Sequence, residues 1–126
     1  MIKVTTLINL LKKNDIDFFT GVPDSVLKEL SSLLQSKNKK NHIIATSEGS
    51  AVSIGIGHYL STKKIPAVYM QNSGLSNALN PLISIAHEKV YSIPLILIIG
   101  WRGSPRVKDE PQHNVKGKIT EQILKL

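Results

Sequence analysis

Glu48 stands in the run Ser47-Glu48-Gly49-Ser50-Ala51-Val52, directly after the apolar stretch His42-Ile43-Ile44-Ala45 and at the head of a segment with helical character. A carboxylate at a strand-to-helix junction sits where α/β proteins gather their chemistry. It can cap the helix, or it can bond a ligand and pass a proton. Nothing within the segment neutralises it. Two further stretches are polar beyond the needs of a turn. Between Tyr69 and Pro81 lie the amides and hydroxyls of Gln71, Asn72, Ser73, Ser76 and Asn77, whereas a turn with a helix cap uses two or three such groups. The run from Gly100 to His113 carries Arg102, Arg106, Lys108, Asp109, Glu110 and His113. It is long for a strand-to-helix connection, which favours a functional loop over a plain solvated one. Cations there can hold a doubly charged anion such as a phosphonate.

Other chemistries are poorly served. Gly55-Ile56-Gly57 lacks the third glycine of a dinucleotide fingerprint and falls inside a helical segment, so close helix packing is expected of it. No P-loop occurs. His42, His58, His87 and His113 have no zinc-helix spacing, and no metal ligand is assigned. No serine sits in a nucleophile-elbow pattern. The 126 residues make one domain, able to bury roughly two thirds of its unfolded surface. With 41% hydrophobic and 20% charged residues, a folded globular chain is expected. Aromatics at 5% disfavour a base-stacking platform. The absence of cysteine removes disulfides and fits a cytoplasmic setting. The first residues do not read as a signal peptide, and Leu95–Ile99 is too short to span a membrane. The net charge of +7 could serve nucleic acid, but Lys12-Lys13, Lys37, Lys39-Lys40 and Lys63-Lys64 are scattered at expected helix ends, where they complement the helix dipole. Neither a nucleic-acid nor a membrane partner is expected.

The elements that must position these groups follow from periodicity. Val4, Leu7, Ile8 and Leu11 predict a helix, Ile16–Thr20 a strand, and Val26, Leu27, Leu30, Leu33 and Leu34 a helix with Pro23 in its first turn and Asp24 or Ser25 as cap. His42–Thr46 reads as a strand and Glu48–Leu60 as a helix. Ala67–Met70 is a third strand, and Leu79, Leu82, Ile83 and Ala86 mark a fourth helix. Leu95–Ile99 has no alternation, as in a strand covered on both faces. A long polar loop to about Gly117 and a final helix bearing Ile119, Ile123, Leu124 and Leu126 follow. Strands alternating with helices imply an α/β fold with a doubly wound, mostly parallel sheet flanked by helices. In such sheets ligands bind beyond the carboxyl ends of the strands, here Gly21–Ser25, Thr46–Ser50, Gln71–Asn77 and Gly100–Gly117.

Several runs together resemble a known family. They are Gly21-Val22-Pro23-Asp24-Ser25, Ser47-Glu48-Gly49-Ser50-Ala51, Tyr69 to Pro81, Tyr91-Ser92-Ile93-Pro94 through Gly100-Trp101-Arg102-Gly103, and Lys108-Asp109-Glu110-Pro111-Gln112-His113. Over essentially its whole length the chain resembles the N-terminal, pyrimidine-binding domain of thiamine-diphosphate-dependent 2-oxoacid decarboxylases. Within them it is most similar to the phosphonopyruvate decarboxylases, with the sulfopyruvate decarboxylases as near relatives.

The resemblance implies that Glu48 bonds the cofactor's aminopyrimidine nitrogen and favours the imino tautomer of the neighbouring amino group. It implies a cofactor-facing place for Pro23, Ser73, Gly74 and Asn77, and places Asp24 and Ser25 near the reacting carbon. It puts His113 on a covering loop as a proton relay, and lines the substrate pocket with Gln71 and Asn72. Arg102, Arg106 and Lys108 are expected, from charge and position, to recognise the phosphonate. The family's second domain holds the diphosphate through Mg2+ and carries a Gly-Asp-Gly signature that does not occur here. Residues 1–126 are therefore expected to be a pyrimidine-binding domain, incomplete at its C-terminal end and inactive alone. It would be completed by a diphosphate-binding domain or subunit, in a homo-oligomer, and would act as a lyase on a small 2-oxoacid. A different class, a non-catalytic module that self-associates or binds an anionic partner, rests on the +7 charge alone.

Overall fold

A computed structural model describes residues 2–105 and 107–126. Arg106, one of the expected anion-binding residues, lies outside the described residues. Four strands alternate with helices: α1 (Val4–Lys13), β1 (Phe19–Gly21), α2 (Lys28–Lys37), β2 (His42–Ile44), α3 (Glu48–Thr62), β3 (Ala67–Gln71), α4 (Leu75–Pro81), β4 (Ile96–Gly100) and α5 (Pro111–Leu124). The strands form one sheet in the order β2-β1-β3-β4, and every neighbouring pair is parallel. The α/β class and the doubly wound sheet read from periodicity are those observed.

Element boundaries moved for local reasons. α2 begins at Lys28, later than the apolar stripe suggests, because Asp24 Oδ1 accepts from the backbone N–H of Val26 at 2.6 Å and of Leu27 at 3.2 Å. That side chain closes a turn ahead of the helix and does not cap it. α3 is capped by Ser47 and not by Glu48: Ser47 Oγ accepts from Ser50 N at 3.2 Å, and the helix ends on Lys63 in the left-handed region at φ 62°. The fourth helix is shorter than its spacing implies. Pro81 has no N–H to donate, and the chain continues as a π-helical turn over Leu82–Ala86, closed by His87 N to Leu82 O at 2.8 Å. The largest difference is at the end. The long loop expected to reach Gly117 stops at Glu110, and Pro111 opens α5 from its first turn.

The sheet packs two cores. On one face Ile8, Leu11, Phe19, Leu30, Leu34, Ala67 and Tyr69 gather under α1 and α2. On the other, Val52, Ile56, Val68, Met70, Leu75 and Ala78 gather under α3 and α4. Ile96 and Ile98 join the first, and Leu97 and Ile99 the second, so β4 is covered on both faces as its unbroken apolar run predicts. It stays half-buried because it is the outer strand. β2, the other outer strand, leaves Ile43 and Ile44 exposed. Of the two glycines expected to serve close packing, Gly55 does: a Cβ there would lie 3.0 Å from Val68 Cγ2, while Gly57 faces open space. Among the described residues no helix is long and apolar enough to cross a membrane.

The chain leaves β1 for β2 under α2, then recrosses the sheet under α3 to lay β3 on the other side of β1. The winding direction therefore reverses between β1 and β3, and the loops after those two strands flank a crevice. Gly21 ends β1 against Tyr69 of β3, and a Cβ at Gly21 would overlap the Tyr69 carbonyl oxygen. Gly21→Ala is expected to cost about 1–3 kcal/mol or more in chemical denaturation, whereas Gly57→Ala in open helix should gain about 0.5–1 kcal/mol. Equal effects of the two would contradict this packing. Tyr69 is fully buried, and its hydroxyl is hydrogen-bonded to His42 Nε2 at 2.8 Å. Burial, reinforced by the charge of Asp24, pushes its pKa up to about 12. The folded state thus holds the phenol neutral above the ordinary value near 10. Stability should fall as pH rises from about 10 to about 12, since only the unfolded chain then releases the proton. Denaturation of Tyr69→Phe across that window should show a smaller fall; an identical slope would remove Tyr69 as its source.

Candidate functional site

Two side-chain clusters occupy the carboxyl edge of the sheet. The first surrounds Glu48, the first residue of α3. The carboxylate lies at a helix N-terminus, where exposed N–H groups favour negative charge. Asn77 of α4 donates from Nδ2 to Glu48 Oε2 at 3.0 Å. The same carboxyl group lies over Gly74, and a Cβ at that position would overlap Glu48 Cγ, Cδ and Oε1. The missing side chain is what admits the carboxylate. Beside it, Ser73 Oγ donates to Gln71 Oε1 at 2.7 Å, and Lys116 Nζ reaches the Ser73 carbonyl at 3.2 Å. The fold thus brings together Glu48, Gln71, Ser73, Gly74 and Asn77, residues that span two strand ends.

The second cluster lies where the loops after β1 and β4 meet. Arg102 forms a two-pronged ion pair with Asp109, Nε to Oδ2 at 2.7 Å and Nη2 to Oδ1 at 2.6 Å. Its Nη1 donates to Ser25 Oγ at 3.2 Å. Asp109 also accepts from Gly103 N and Glu110 N, each at 2.8 Å. The hydrogen bonds and charge of Arg102 hold the Asp109 carboxyl far below the usual carboxylate range, and the bond to Asp109 raises Arg102. Asp24 sits alongside, with Oδ1 used by its own turn and Oδ2 buried without a partner.

Asn72 joins the edges of the two clusters. It is 3% exposed. Its Nδ2 donates to the Arg102 carbonyl and to Thr120 Oγ1, both at 2.9 Å, and its Oδ1 accepts from Arg102 N at 3.0 Å. The expectation that Asn72 lines a substrate pocket is therefore corrected: its amide is buried, with both hydrogens donated and its oxygen turned to Arg102 N inside the protein. His113 is also displaced from its expected place. It lies in the first turn of α5, with its N–H on the Glu110 carbonyl at 2.9 Å and its own backbone packed on Gly103, so it is not on a free covering loop. Arg102 meets an anion, but an internal one. Lys108 is exposed and borders an open depression of about 420 Å3 with Gly103, Ser104, Asp109, Asn114 and Lys118. Pro23 is exposed at the end of β1, and Ser25 is exposed apart from its bond to Arg102. Reading the sequence missed Asp109, Thr120 and Lys116. A signal existed only for Asp109, an acid seven residues from Arg102 in a loop otherwise rich in cations.

A carboxylate held at one oxygen, beside amides and a glycine notch, suits the edge of an aminopyrimidine ring, which offers adjacent acceptor and donor nitrogens. The described residues contain no group of three or more His, Asp or Glu side chains placed to hold a metal ion. Fold and site together define a doubly wound α/β domain with the Glu48 carboxylate anchored by Asn77 at its carboxyl edge. The chain belongs to the thiamine pyrophosphate enzyme family, N-terminal TPP binding domain, whose model matches residues 3–123. It is 36% identical over all 126 residues to a phosphonopyruvate decarboxylase of Streptomyces viridochromogenes, of which it covers 31%. It is 38% identical over 117 residues to the sulfopyruvate decarboxylase subunit alpha of Methanocaldococcus jannaschii, covering 92% of this chain and 66% of that one. The chain thus spans about a third of the first relative's length and about two thirds of the second's. Among solved structures, benzoylformate decarboxylase from Polynucleobacter necessarius superposes with a TM-score of 0.65 at 28% identity, over 81% of this chain and 19% of that one. A thiamin diphosphate-dependent enzyme from Mycobacterium smegmatis gives 0.66 at 21% identity over 84% of this chain and 20% of that one, a likeness of fold.

Gly74→Ala tests the notch. The Glu48 side chain can swing aside, so the cost in stability should stay near that of one hydrogen bond, about 1 kcal/mol. The side-chain amide resonance of Asn77 should nevertheless move to its solvent-exposed position. An unmoved Asn77 signal in the folded variant would show that the notch does not set the carboxylate.

Proposed function

We propose that this chain is the pyrimidine-binding part of a thiamine-diphosphate-dependent decarboxylase that converts phosphonopyruvate to phosphonoacetaldehyde and carbon dioxide. The observation that carries the reading is Glu48, anchored by Asn77 over the Gly74 notch at the N-terminus of α3. Family membership and similarity over all of this chain to about a third of the phosphonopyruvate decarboxylases' length support the cofactor and the substrate. Glu48 would bond the ring nitrogen of the aminopyrimidine, with Gln71, Ser73 and Asn77 around the ring edge. Asn77 fixes one carboxylate oxygen and leaves the direction of the other set by the helix, so the acceptor is in place before the ligand arrives. When bound, thiamine diphosphate supplies the electron sink that lets a 2-oxoacid lose carbon dioxide. Asp24, with one buried oxygen unpartnered, is the group best placed on the β1 loop to meet substrate or share a proton. Pro23 would border the cofactor, His113 would act from the α5 turn, and Lys108 would carry the approach of the phosphonate.

The diphosphate and its Mg2+ would be held by a companion domain or subunit, in an assembly that pairs this edge with it. Decarboxylation of sulfopyruvate is the second reading. It is favoured by the 38% identity to a sulfopyruvate decarboxylase alpha subunit, and both substrates are 2-oxoacids bearing a tetrahedral anion. The test is reconstitution with a diphosphate-binding partner, thiamine diphosphate and Mg2+. Carbon dioxide release from phosphonopyruvate is expected, and Glu48→Gln should lower it by about 100-fold or more. Faster turnover of sulfopyruvate would select the second reading. A Glu48→Gln enzyme as active as the parent would reject both.

A further inference from the structure

Arg102 has five N–H donors in a rigid fork, and the structure commits most of them inside the protein. The Nε–Nη2 edge is filled by Asp109, and Nη1 is turned to Ser25 across the crevice. Its main chain is fixed as well, with both the N–H and the carbonyl held by Asn72. Asp109, in turn, has no spare capacity for a ligand. Each of its oxygens accepts one guanidinium hydrogen and one backbone hydrogen, from Gly103 at the start of the β4 loop and Glu110 at its end.

Charge points the same way. Three carboxylates, Asp109, Glu110 and Asp24, act on this one guanidinium. A phosphonate or sulfonate approaching Arg102 would meet a cation already neutralised and an acidic surround, with the Nε–Nη2 edge taken by a bidentate, charge-assisted pair. What Arg102 does touch, besides Asp109, is the β1 loop. Ser25 follows Asp24, whose Oδ1 holds the N–H groups of Val26 and Leu27 in the turn that opens α2. That loop also packs on the end of β4, where a Cβ at Gly100 would stand 3.1 Å from Val26 Cβ and Leu27 Cγ.

We propose that Asp109 is a positioning residue: by saturating the Nε–Nη2 edge of Arg102 it aims Nη1 at Ser25, so that the ion pair of the β4 loop sets the β1 loop that carries Asp24. Arg102 then serves the reaction through Ser25 and does not bind the substrate's anion. The functional part of this inference rests on the decarboxylase reading; the positional part stands on the geometry alone.

The test begins in the free chain, without cofactor or partner. In Asp109→Asn, which keeps one acceptor oxygen and replaces the other with an NH2 donor, amide hydrogen exchange should speed up at whichever of Gly103 and Glu110 loses its acceptor. It should also speed up by about tenfold or more at Val26 and Leu27, which Asp109 does not touch. Arg102→Lys, which keeps the charge but not the fork, should release Val26 and Leu27 in the same way, and it carries the test if Asp109→Asn does not fold. In a Ser25→Ala background neither change should add to the exchange at Val26 and Leu27. Release confined to Gly103 and Glu110 would overturn the proposal, leaving Asp109 a staple of its own loop. In the reconstituted enzyme, Asp109→Asn and Arg102→Lys should lower kcat by about tenfold while KM stays within about threefold. A rise in KM with kcat kept would overturn the assignment in favour of direct anion binding. A reconstituted enzyme inactive on every 2-oxoacid would reject the decarboxylase reading and leave the exchange result untouched.

Discussion

Asn72 is the side chain on which the carboxyl edge of the sheet depends. It leaves β3, turns inward, and spends one amide on three partners: the N–H and carbonyl of Arg102, and the hydroxyl of Thr120. A parallel sheet leaves its strand ends with backbone groups that no neighbouring strand satisfies, and burying them unpaired is costly. Asn72 removes that cost where β3, β4 and α5 meet. In doing so it fixes the direction in which the β4 chain departs. Trp101 adds to the same junction, donating from Nε1 to the Gly117 carbonyl at 3.0 Å. The glycines at 103 and 117 let the two backbones approach more closely than any side chain would allow.

From that junction the two functional clusters take their places. Toward α4, the β3 connection runs on through Ser73 and Gly74 to Asn77, so the segment that begins at Asn72 also supplies the notch and the anchor for Glu48. Toward α2, the fixed Arg102 pairs with Asp109 and reaches Ser25. The clusters are built differently. Glu48 has one hydrogen-bonded oxygen and a backbone notch, an arrangement that leaves a carboxylate available. Asp109 has four charge-assisted bonds, which stabilise a carboxylate and close it to other chemistry. The contrast separates the acid placed for work from the acid placed for support.

Much of this architecture was legible from local pattern. The 3.6-residue stripe of Val4, Leu7, Ile8 and Leu11, the unbroken run before Gly100, and the polarity of all four strand ends led to the parallel sheet and to its carboxyl edge as the place of interest. Glu48 read correctly as the start of a helix because a helix start is a matter of neighbours. The errors arose where a local pattern was broken by one residue with particular chemistry. Pro81 turned an even helical spacing into a π-helical turn. Asp24 delayed α2 by folding its side chain back on Val26 and Leu27. Pro111 started α5 in a stretch whose polarity had read as loop.

What the sequence by itself determined was therefore the order of elements, the face each one buries, and the four segments that meet at one edge. Those follow from periodicity and from turn chemistry within a few residues. What only the tertiary structure decided was the duty of each polar group at that edge. Asn72 and Thr120 are 48 residues apart, Arg102 and Ser25 are 77 apart, and Glu48 and Asn77 are 29 apart. Such pairs are set by the β2-β1-β3-β4 order and by the close approach of backbones at glycine. Whether a carboxylate is free or spent depends on how many donors surround it in space. A hydrogen bond is satisfied or not in three dimensions, and no spacing along the chain records which.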